Sequence, residues 1–352
     1  MTKSLETLTQ EQSVGEQSAR AVAWYRTPVE PRALKRLHVR SNSRGALQTV
    51  GYLTILCITG SAAFFALGRL PWPAVLSLIF LHGTCYAFQI NAVHELVHGT
   101  VFRTKWLNAV FVRVFAFLDW QNFELFDVSH VAHHRYTLHP PDDLEVTLPY
   151  RVMLRQFIAQ GFFNWNWAWN FKDKRFGYVK NTIRLARGRF RGAWELNLFP
   201  ASAPELRRPV MMWARTLLIG HSLIIIVSCY LHLWMLPVVT TFAPIYGSWL
   251  LLLCNHTQHM GLRDNVSDFR LCCRTITLNP LVSFLYWQMN YHTEHHMYAA
   301  VPCYNLGRLH LLIKHDLPPC PDGLIATWRQ IADIQKKQDA DPAYQYQAQL
   351  PG

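Results

Sequence analysis

Long apolar runs, separated by short polar segments, dominate the hydropathy pattern of this chain. Four of them cover approximately residues 49–67, 72–93, 210–231 and 236–254. An α-helix needs roughly 20 apolar residues to cross about 30 Å of bilayer hydrocarbon, and each run is close to that length. The pattern therefore predicts an all-α integral membrane bundle of about four transmembrane helices, arranged as two hairpins.

Shorter segments between the runs complete this prediction. The uncharged segment 232–237 joins the last two runs and is short enough for a tight turn. The apolar stretch 107–118 is too short to span and contains Arg113, which favours an interfacial or re-entrant helix. The tryptophan- and asparagine-rich segment 162–171 is typical of an aromatic belt at the lipid headgroups.

The two ends of the chain are more polar than its middle. We expect a polar, basic-flanked tail over residues 1–47, a membrane domain over 48–335 and a polar tail over 336–352. The part before Arg32 is rich in Gln, Ser, Glu and Thr, which predicts poor order. No signal-peptide core precedes the first run, so that run is expected to serve as both anchor and targeting element.

Composition and charge agree with a membrane location. Hydrophobic residues make up 51% of the chain and charged residues only 16%, and the net charge is +12. Basic residues precede the first run and fill the long central loop: Arg32, Lys35, Arg36, Arg40, Arg44, Lys172, Lys174, Arg175, Lys180, Arg184, Arg187, Arg189 and Arg191. The positive-inside rule places both segments in the cytoplasm, and a bacterial inner membrane is the expected location. No nucleic-acid recognition motif accompanies the charge, so an anionic leaflet or an acidic electron carrier is the expected partner.

The eight cysteines form no metal or disulfide pattern. No C-x-x-C occurs, and Cys57, Cys85, Cys229 and Cys254 lie within the apolar runs. The cysteines are therefore interpreted as small core residues of a protein in a reducing compartment.

Three short histidine clusters carry the clearest chemical signal. They read H-E-L-V-H, H-V-A-H-H and H-T-E-H-H, and their histidines are His94, His98, His130, His133, His134, His292, His295 and His296. Histidine is the commonest nitrogen ligand of transition metals, and eight histidines exceed what one ion needs. The clusters therefore predict a dinuclear metal enzyme, held in a helical cap on the cytoplasmic side.

Helical spacing suggests how each H-x-x-H-H cluster divides between two ions. Residues four apart share a helix face, so His130 and His134 favour one metal, whereas His133 is rotated toward the other. The same reasoning groups His292 with His296 and separates His295 from them.

The first cluster has a rival interpretation from another functional class. H-E-x-x-H is also the zinc-protease signature, in which Glu95 would be the general base. A membrane zinc metalloprotease would need only one further ligand, which leaves both H-x-x-H-H clusters without a role. Soluble carboxylate-bridged di-iron bundles use two E-x-x-H motifs, and only one occurs here.

The series H-x-x-x-H, H-x-x-H-H, H-x-x-H-H resembles the membrane fatty-acid desaturase and hydroxylase superfamily over about residues 49–317. The flanking blocks 91–100 and 290–298, followed by Val301-Pro302, are also similar to that family. Segment 255–262, N-H-T-Q-H-M-G-L, resembles a block of the membrane alkane hydroxylases. This resemblance implies a ninth metal ligand, His259, with Asn255 near a metal through water and His256 in a supporting position.

The resemblance also implies cofactors and partners. Family members use two non-haem irons and O2, with two electrons supplied from outside, although imidazole also suits zinc, copper and nickel. The chain contains no cytochrome-b5-like H-P-G-G block, so a separate ferredoxin, rubredoxin or cytochrome b5 type carrier is expected. No catalytic residue is expected beyond the metal ligands.

Carboxylates near the clusters are candidates to orient the ligand imidazoles through their outer N–H groups. The candidates are Glu95, Asp142, Asp143, Glu294, Asp264 and Asp268. Five further histidines match no ligand position and are treated as structural: His139, His221, His232, His310 and His315.

The expected reaction is O2-dependent introduction of a double bond into a fatty acyl chain held in the membrane. Hydroxylation of an aliphatic substrate is the main alternative. The stretch M-Y-A-A-V-P at 297–302 also resembles a branch that desaturates a specialised amphiphile, as in dihydrorhizobitoxine desaturase.

Overall fold

The computed structural model describes residues 21–149, 151, 153–164 and 177–351, and these residues fold as helices joined by loops. Pairing between extended segments in this part of the chain is limited to three isolated β-bridges. The all-α prediction is therefore confirmed for the described residues. Most of the predicted aromatic belt at 162–171 lies outside them, so that prediction stays open.

Seventeen α-helices are described. They are α1 (Pro31–Leu37), α2 (Asn42–Ala66), α3 (Trp72–Tyr86), α4 (Gln89–Val97), α5 (Lys105–Leu118), α6 (Phe123–Tyr136), α7 (Leu154–Phe162), α8 (Tyr178–Ala186), α9 (Gly192–Leu198), α10 (Pro204–Tyr230), α11 (Met235–Val239), α12 (Trp249–Asn255), α13 (Phe269–Cys272), α14 (Pro280–Leu285), α15 (His292–Met297), α16 (Cys303–Ile313) and α17 (Gly323–Ala340).

Among the described residues, three helical segments are long and apolar enough to cross a membrane: Asn42–Ala66, Trp72–Val97 and Pro204–Tyr230. The first two form the predicted hairpin. Gly68, at a φ of 75°, follows the end of α2, and prolines begin the next helix. The second segment consists of α3 and α4 and ends directly before His98, so the first histidine cluster lies at the end of an apolar helix.

The fourth predicted span is not a continuous helix. Residues 236–254 are divided among α11, a 3-10 turn at Ala243–Ile245 and α12. Pro244 lies in that turn, and Gly247 adopts a φ of 78° at a close approach to α3, where an added Cβ would lie 2.5 Å from the Thr84 nitrogen. The expected count of four is therefore not confirmed, because proline and close backbone packing interrupt the apolar run.

The short apolar stretch forms α5 (Lys105–Leu118), which is not among the long apolar helices. Phe115 and Val112 are buried, whereas Trp106 and Val110 on the other side of the helix are exposed. One apolar side therefore packs on the protein and the other stays uncovered, as in a helix lying at an interface.

Residues 24–27, which we call the N-terminal strap, pack against the histidine-bearing helices although poor order was predicted before Arg32. The Trp24 ring stacks on Phe269 at a centroid distance of 4.0 Å. Trp24 Nε1 donates to the Arg135 carbonyl at 2.9 Å, and Arg26 Nε donates to the Met297 carbonyl at 2.7 Å. The strap thus joins the C-terminal ends of α6 and α15.

Candidate metal centre

In the part of the chain that the structure describes, two adjacent groups of side chains bring possible ligand atoms within 4.8 Å of one another. The first consists of His94, His98, His130, His134 and His295, and the second of His259, Cys273, His292 and His296. The helices that end or begin near this point therefore gather eight of the nine histidines predicted as ligands.

In the first group, which we call group 1, the Nε2 atoms face one another. The Nε2–Nε2 distances are 2.9 Å for His94–His295, 3.1 Å for His295–His134, 3.0 Å for His134–His130 and 3.2 Å for His130–His98. Ligands bound by metal–nitrogen bonds of about 2.1 Å lie about 3 Å apart, so this spacing suits one ion.

In the second group, which we call group 2, His292 Nε2 lies 2.9 Å from His259 Nε2 and 3.1 Å from His296 Nε2. His133 borders this group, with its ring centroid 5.0 Å from His296 and 5.3 Å from His259. Cys273, interpreted from sequence as a core residue, brings a thiol into the same group.

The two H-x-x-H-H clusters are shared between the groups in opposite ways. His130 and His134 belong to group 1 while His133 borders group 2, whereas His292 and His296 belong to group 2 while His295 belongs to group 1. Each helix, α6 and α15, therefore contributes to both groups, because its middle histidine lies on a different side from the other two.

Burial keeps most of these imidazoles neutral. It lowers the pKa of His98 to about 4 and that of His259 to about 3. The pKa values of His130, His134, His292, His295 and His296 are also lowered well below the usual range, first by burial and then by neighbouring histidines. Neutral imidazole is the form that binds metal, so the donor set fits a transition-metal pair.

Asp143 fixes the orientation of His133. Its Oδ2 lies 2.8 Å from His133 Nδ1 and accepts the Leu138 backbone N–H at 2.8 Å, while its Oδ1 accepts the Glu145 N–H at 2.9 Å. Burial alone would lower the pKa of His133, but the Asp143 carboxylate outweighs burial and raises it. This buried pair holds the outer nitrogen and leaves Nε2 directed toward group 2.

Two glutamates stand beside the outer nitrogens of group 1. Glu145 Oε1 lies 3.1 Å from His130 Nδ1, and its Oε2 accepts the Ser129 hydroxyl at 2.5 Å. Glu95 Oε1 lies 3.4 Å from His295 Nδ1. Sequence reasoning missed Glu145, although it follows Asp143 by two residues and could have been found by extending the acidic segment after the second cluster.

The other predicted carboxylates have different surroundings. Glu294 is fully buried and accepts from Thr275, and one of its oxygens lies 2.5 Å from His310 Nδ1. Asp264 accepts from Gln345, and Asp268 pairs with Arg270. For the Asp142 side chain the described residues provide no histidine partner. His310, expected to be structural, therefore contacts an acid between two histidines of the third cluster.

Asn255 and His256 belong to neither group. Asn255 Oδ1 accepts from Asn91 Nδ2 at 3.4 Å, which links the end of α12 to the helix of the first cluster. Burial lowers the pKa of His256 to about 4.

The remaining histidines predicted as structural lie outside both groups: His139, His221, His232, His310 and His315. His221, for example, stacks between Phe117 and Trp120 and places its Nε2 2.9 Å from the Phe117 carbonyl. These contacts account for a packing role at that position.

Residues leading into the third cluster adopt strained backbone conformations. Trp287 and Gln288 have φ values of 54° and 62°, in the left-handed region that non-glycine residues rarely enter. Such residues cost about 1–3 kcal/mol each and persist where their surroundings determine the conformation. Here Trp287 is fully buried, and Asn290 Nδ2 donates to the Ile276 carbonyl at 3.0 Å, which fixes the chain before His292.

Apolar helices long enough to span a membrane, one of which leads into the first histidine cluster, together with two adjacent groups of histidines, define a membrane-associated protein with a candidate metal centre. A family model described as fatty acid desaturase matches residues 69–325, well over half of the chain. The chain therefore belongs to the fatty acid desaturase family, an oxidoreductase family of the membrane desaturase and hydroxylase superfamily. A search of curated proteins found no significant match.

Proposed function

We propose that the protein is an O2-dependent di-iron desaturase that introduces a double bond into a fatty acyl chain. The observation that carries this proposal is the gathering of eight of the nine predicted histidines into two adjacent groups, with the ninth, His133, at the border of group 2. Group 1 would hold one iron, and His259, His292, His296 and His133 would hold the other. The bound irons would supply the activation of O2 needed to attack an unactivated C–H bond.

The protein's own residues would orient and shield this centre. Asp143 and Glu145 hold the outer nitrogens of His133 and His130, so the opposite nitrogens point inward. The strap covers the ends of α6 and α15, and Phe269 lies between Trp24 and the His296 ring. These contacts limit the access of water on that side.

Electrons would come from a separate carrier of the ferredoxin, rubredoxin or cytochrome b5 type, as inferred from sequence. We further propose a multi-pass protein of the bacterial inner membrane, with its histidine groups facing the cytoplasm. The basic segments before α2 and before α10 support this orientation. Access of an external cysteine probe to a residue introduced at Lys180 would contradict it.

Hydroxylation remains a second candidate because segment 255–262, which supplies His259, resembles a block of alkane hydroxylases. A zinc-protease function has less support. Glu95, the base it requires, lies beside His295 Nδ1, and the first cluster shares group 1 with histidines of both other clusters.

Product analysis under labelled O2 tests the proposed reaction. Purified protein, reconstituted with iron, an electron carrier and fatty acyl substrates, should yield a product that lacks two hydrogens and retains no label. A labelled alcohol as the sole product would refute desaturation while leaving the oxygenase class intact. One zinc per chain, with peptide cleavage that persists without oxygen, would refute both desaturation and the wider class of O2-dependent reactions.

A further inference from the structure

A basic cavity lies away from the histidine groups, at the end of α8 and the turn that follows it. Its volume is about 310 Å³. Five of its seven lining residues are basic: Lys180, Arg184, Arg187, Arg189 and Arg191. We call it the arginine pocket.

A buried ion pair shapes this pocket. Arg184, only 9% exposed, binds both carboxylate oxygens of Glu195 at 2.6 Å. Arg184 Nη1 also donates to the Arg189 carbonyl at 2.6 Å, and Glu195 accepts the Arg191 backbone N–H at 2.8 Å. The pair therefore fixes the turn between α8 and α9, and Gly188 provides the left-handed φ of 69° that the turn requires.

The fixed turn presents three positive charges that no acid among the described residues neutralises. Arg187, Arg189 and Arg191 are exposed, and none has an ion-pair partner among the described residues. Like charges held around one cavity repel each other, and a bound anion relieves this repulsion. Guanidinium groups match the geometry of phosphate oxygens better than ammonium groups do.

The position of the pocket indicates where the anion comes from. Leu185 and Phe190 pack on Val210 and Ala214 of α10, and Arg215 Nε donates to the Ala186 carbonyl at 3.0 Å. Beyond Arg215, the rest of this long apolar helix contains no charged residue. The pocket therefore lies beside the boundary between the charged and the apolar parts of α10, at the level expected for lipid headgroups.

We propose that the arginine pocket binds the phosphate of an anionic membrane lipid. This inference depends on the membrane placement of α10 and not on the reaction catalysed at the histidine groups. A bound headgroup would attach the central loop to the bilayer surface, next to the end of α10.

Native mass spectrometry of the purified protein with added lipids tests the proposal. Wild-type protein should retain phosphatidylglycerol about tenfold more tightly than zwitterionic phosphatidylcholine, and the R187Q/R189Q/R191Q variant should lose this preference. The matched control is R32Q/K35Q/R36Q, which removes the same charge from α1 and should bind as the wild type does. Equal losses in both variants would show a general charge effect and overturn the proposal.

Two further measurements distinguish the source of the phosphate and guard against misfolding. Inorganic pyrophosphate that binds the wild type while phosphatidylglycerol does not would assign the pocket to a soluble phosphate and refute the lipid. If the triple variant does not fold, the salt dependence of the wild type decides. The lipid preference should fall steeply between about 0.05 and about 0.5 M salt, and an unchanged preference would overturn the proposal.

Discussion

Groups 1 and 2 contain similar imidazoles but differ in what holds them. Group 1 has glutamates beside the outer nitrogens of two members, Glu145 at His130 and Glu95 at His295. In group 2 the outer nitrogens have uncharged partners: His259 Nδ1 lies 2.7 Å from the Cys272 carbonyl, and His296 Nδ1 lies 3.2 Å from the Thr137 hydroxyl. The bordering His133, by contrast, is held by the Asp143 carboxylate. A carboxylate hydrogen-bonded to an outer nitrogen makes the imidazole a stronger donor, so His130 in group 1 and His133 beside group 2 would be stronger ligands than His259 and His296.

Removing ligands should produce the largest effect and should separate the two groups. His295→Ala and His259→Ala should each abolish activity, and each should lower the metal content by about one ion per chain. His232→Ala is the matched control, because His232 lies outside both groups and should keep most activity. Metal analysis alongside an oxygen-dependent assay measures both quantities.

The other predicted ligands should behave in the same way when replaced by Ala: His94, His98, His130, His133, His134, His292 and His296. Full activity in any two of these variants would show that the ligand assignment is wrong. Loss of both ions from every variant would show that the two groups are not independent.

Replacing the supporting carboxylates should have the next largest effect. Asp143→Asn and Glu145→Gln keep the side-chain size, and loss of such partners typically costs about 10- to 100-fold in metal affinity or activity. Asp143 is fully buried and accepts three hydrogen bonds, so Asp143→Asn should lower the metal affinity more than Glu145→Gln does. Chelator competition measures the affinity, with Asp142→Asn as the neighbouring control. Equal affinity in all three variants would contradict the proposed supporting roles.

Acidification should destabilise the metal-free protein, because its histidines have lowered pKa values in the folded state. The pKa of His259 is about 3 and that of His98 about 4 in the folded state, both below the unfolded value of about 6.5. The unfolded state therefore binds more protons below pH ~6.5, and the free energy of unfolding should fall as the pH drops from there toward ~4. Thermal unfolding as a function of pH tests this. Saturating metal should raise the free energy of unfolding without reducing this slope, since the bound ligands stay unprotonated while the unfolded state still takes up protons.

A smaller effect is expected at the strap. Trp24→Phe keeps an aromatic ring on Phe269 but removes the donor to the Arg135 carbonyl, a loss of about 1 kcal/mol. Because that hydrogen bond reaches the residue after His134, metal should dissociate several-fold faster while the fold is kept. Stopped-flow transfer of the metal to a chelator measures the rate. Trp234→Phe, at an exposed tryptophan far along the chain, is the control, and equal rates in both variants would contradict a role for the strap.

Most of the histidine groups could be predicted from the sequence, because the spacing of histidines within each short motif is a local property. Spacing within H-x-x-H-H determines which histidines share a helix face, and the structure places His133 and His295 apart from their neighbours. The identity of the metals, and binding itself, remain predictions. Glu145 was missed because its approach to His130 depends on the loop after α6, which no helical period describes.

Longer-range features were harder to predict. The apolar run 236–254 has the composition of a span, but Pro244 and the close packing of Gly247 on α3 interrupt it. The strap was included in the predicted flexible tail because polar residues dominate the segment before it, and its order comes from contacts with residues more than 200 positions away. Such tertiary contacts override local composition.

The strap also affects the order in which parts of the protein can fold during synthesis. Arg26 bonds to Met297, 271 residues later, and the Tyr25 hydroxyl donates to Asp316, 291 residues later. The strap leaves the ribosome long before Met297 and Asp316 have been synthesised. The ends of α6 and α15 therefore cannot be joined until nearly the whole chain has been synthesised and inserted. Stable metal retention should accordingly be a late event in biogenesis, and a nascent chain arrested before Asp316 should release its metal faster than the full-length protein does.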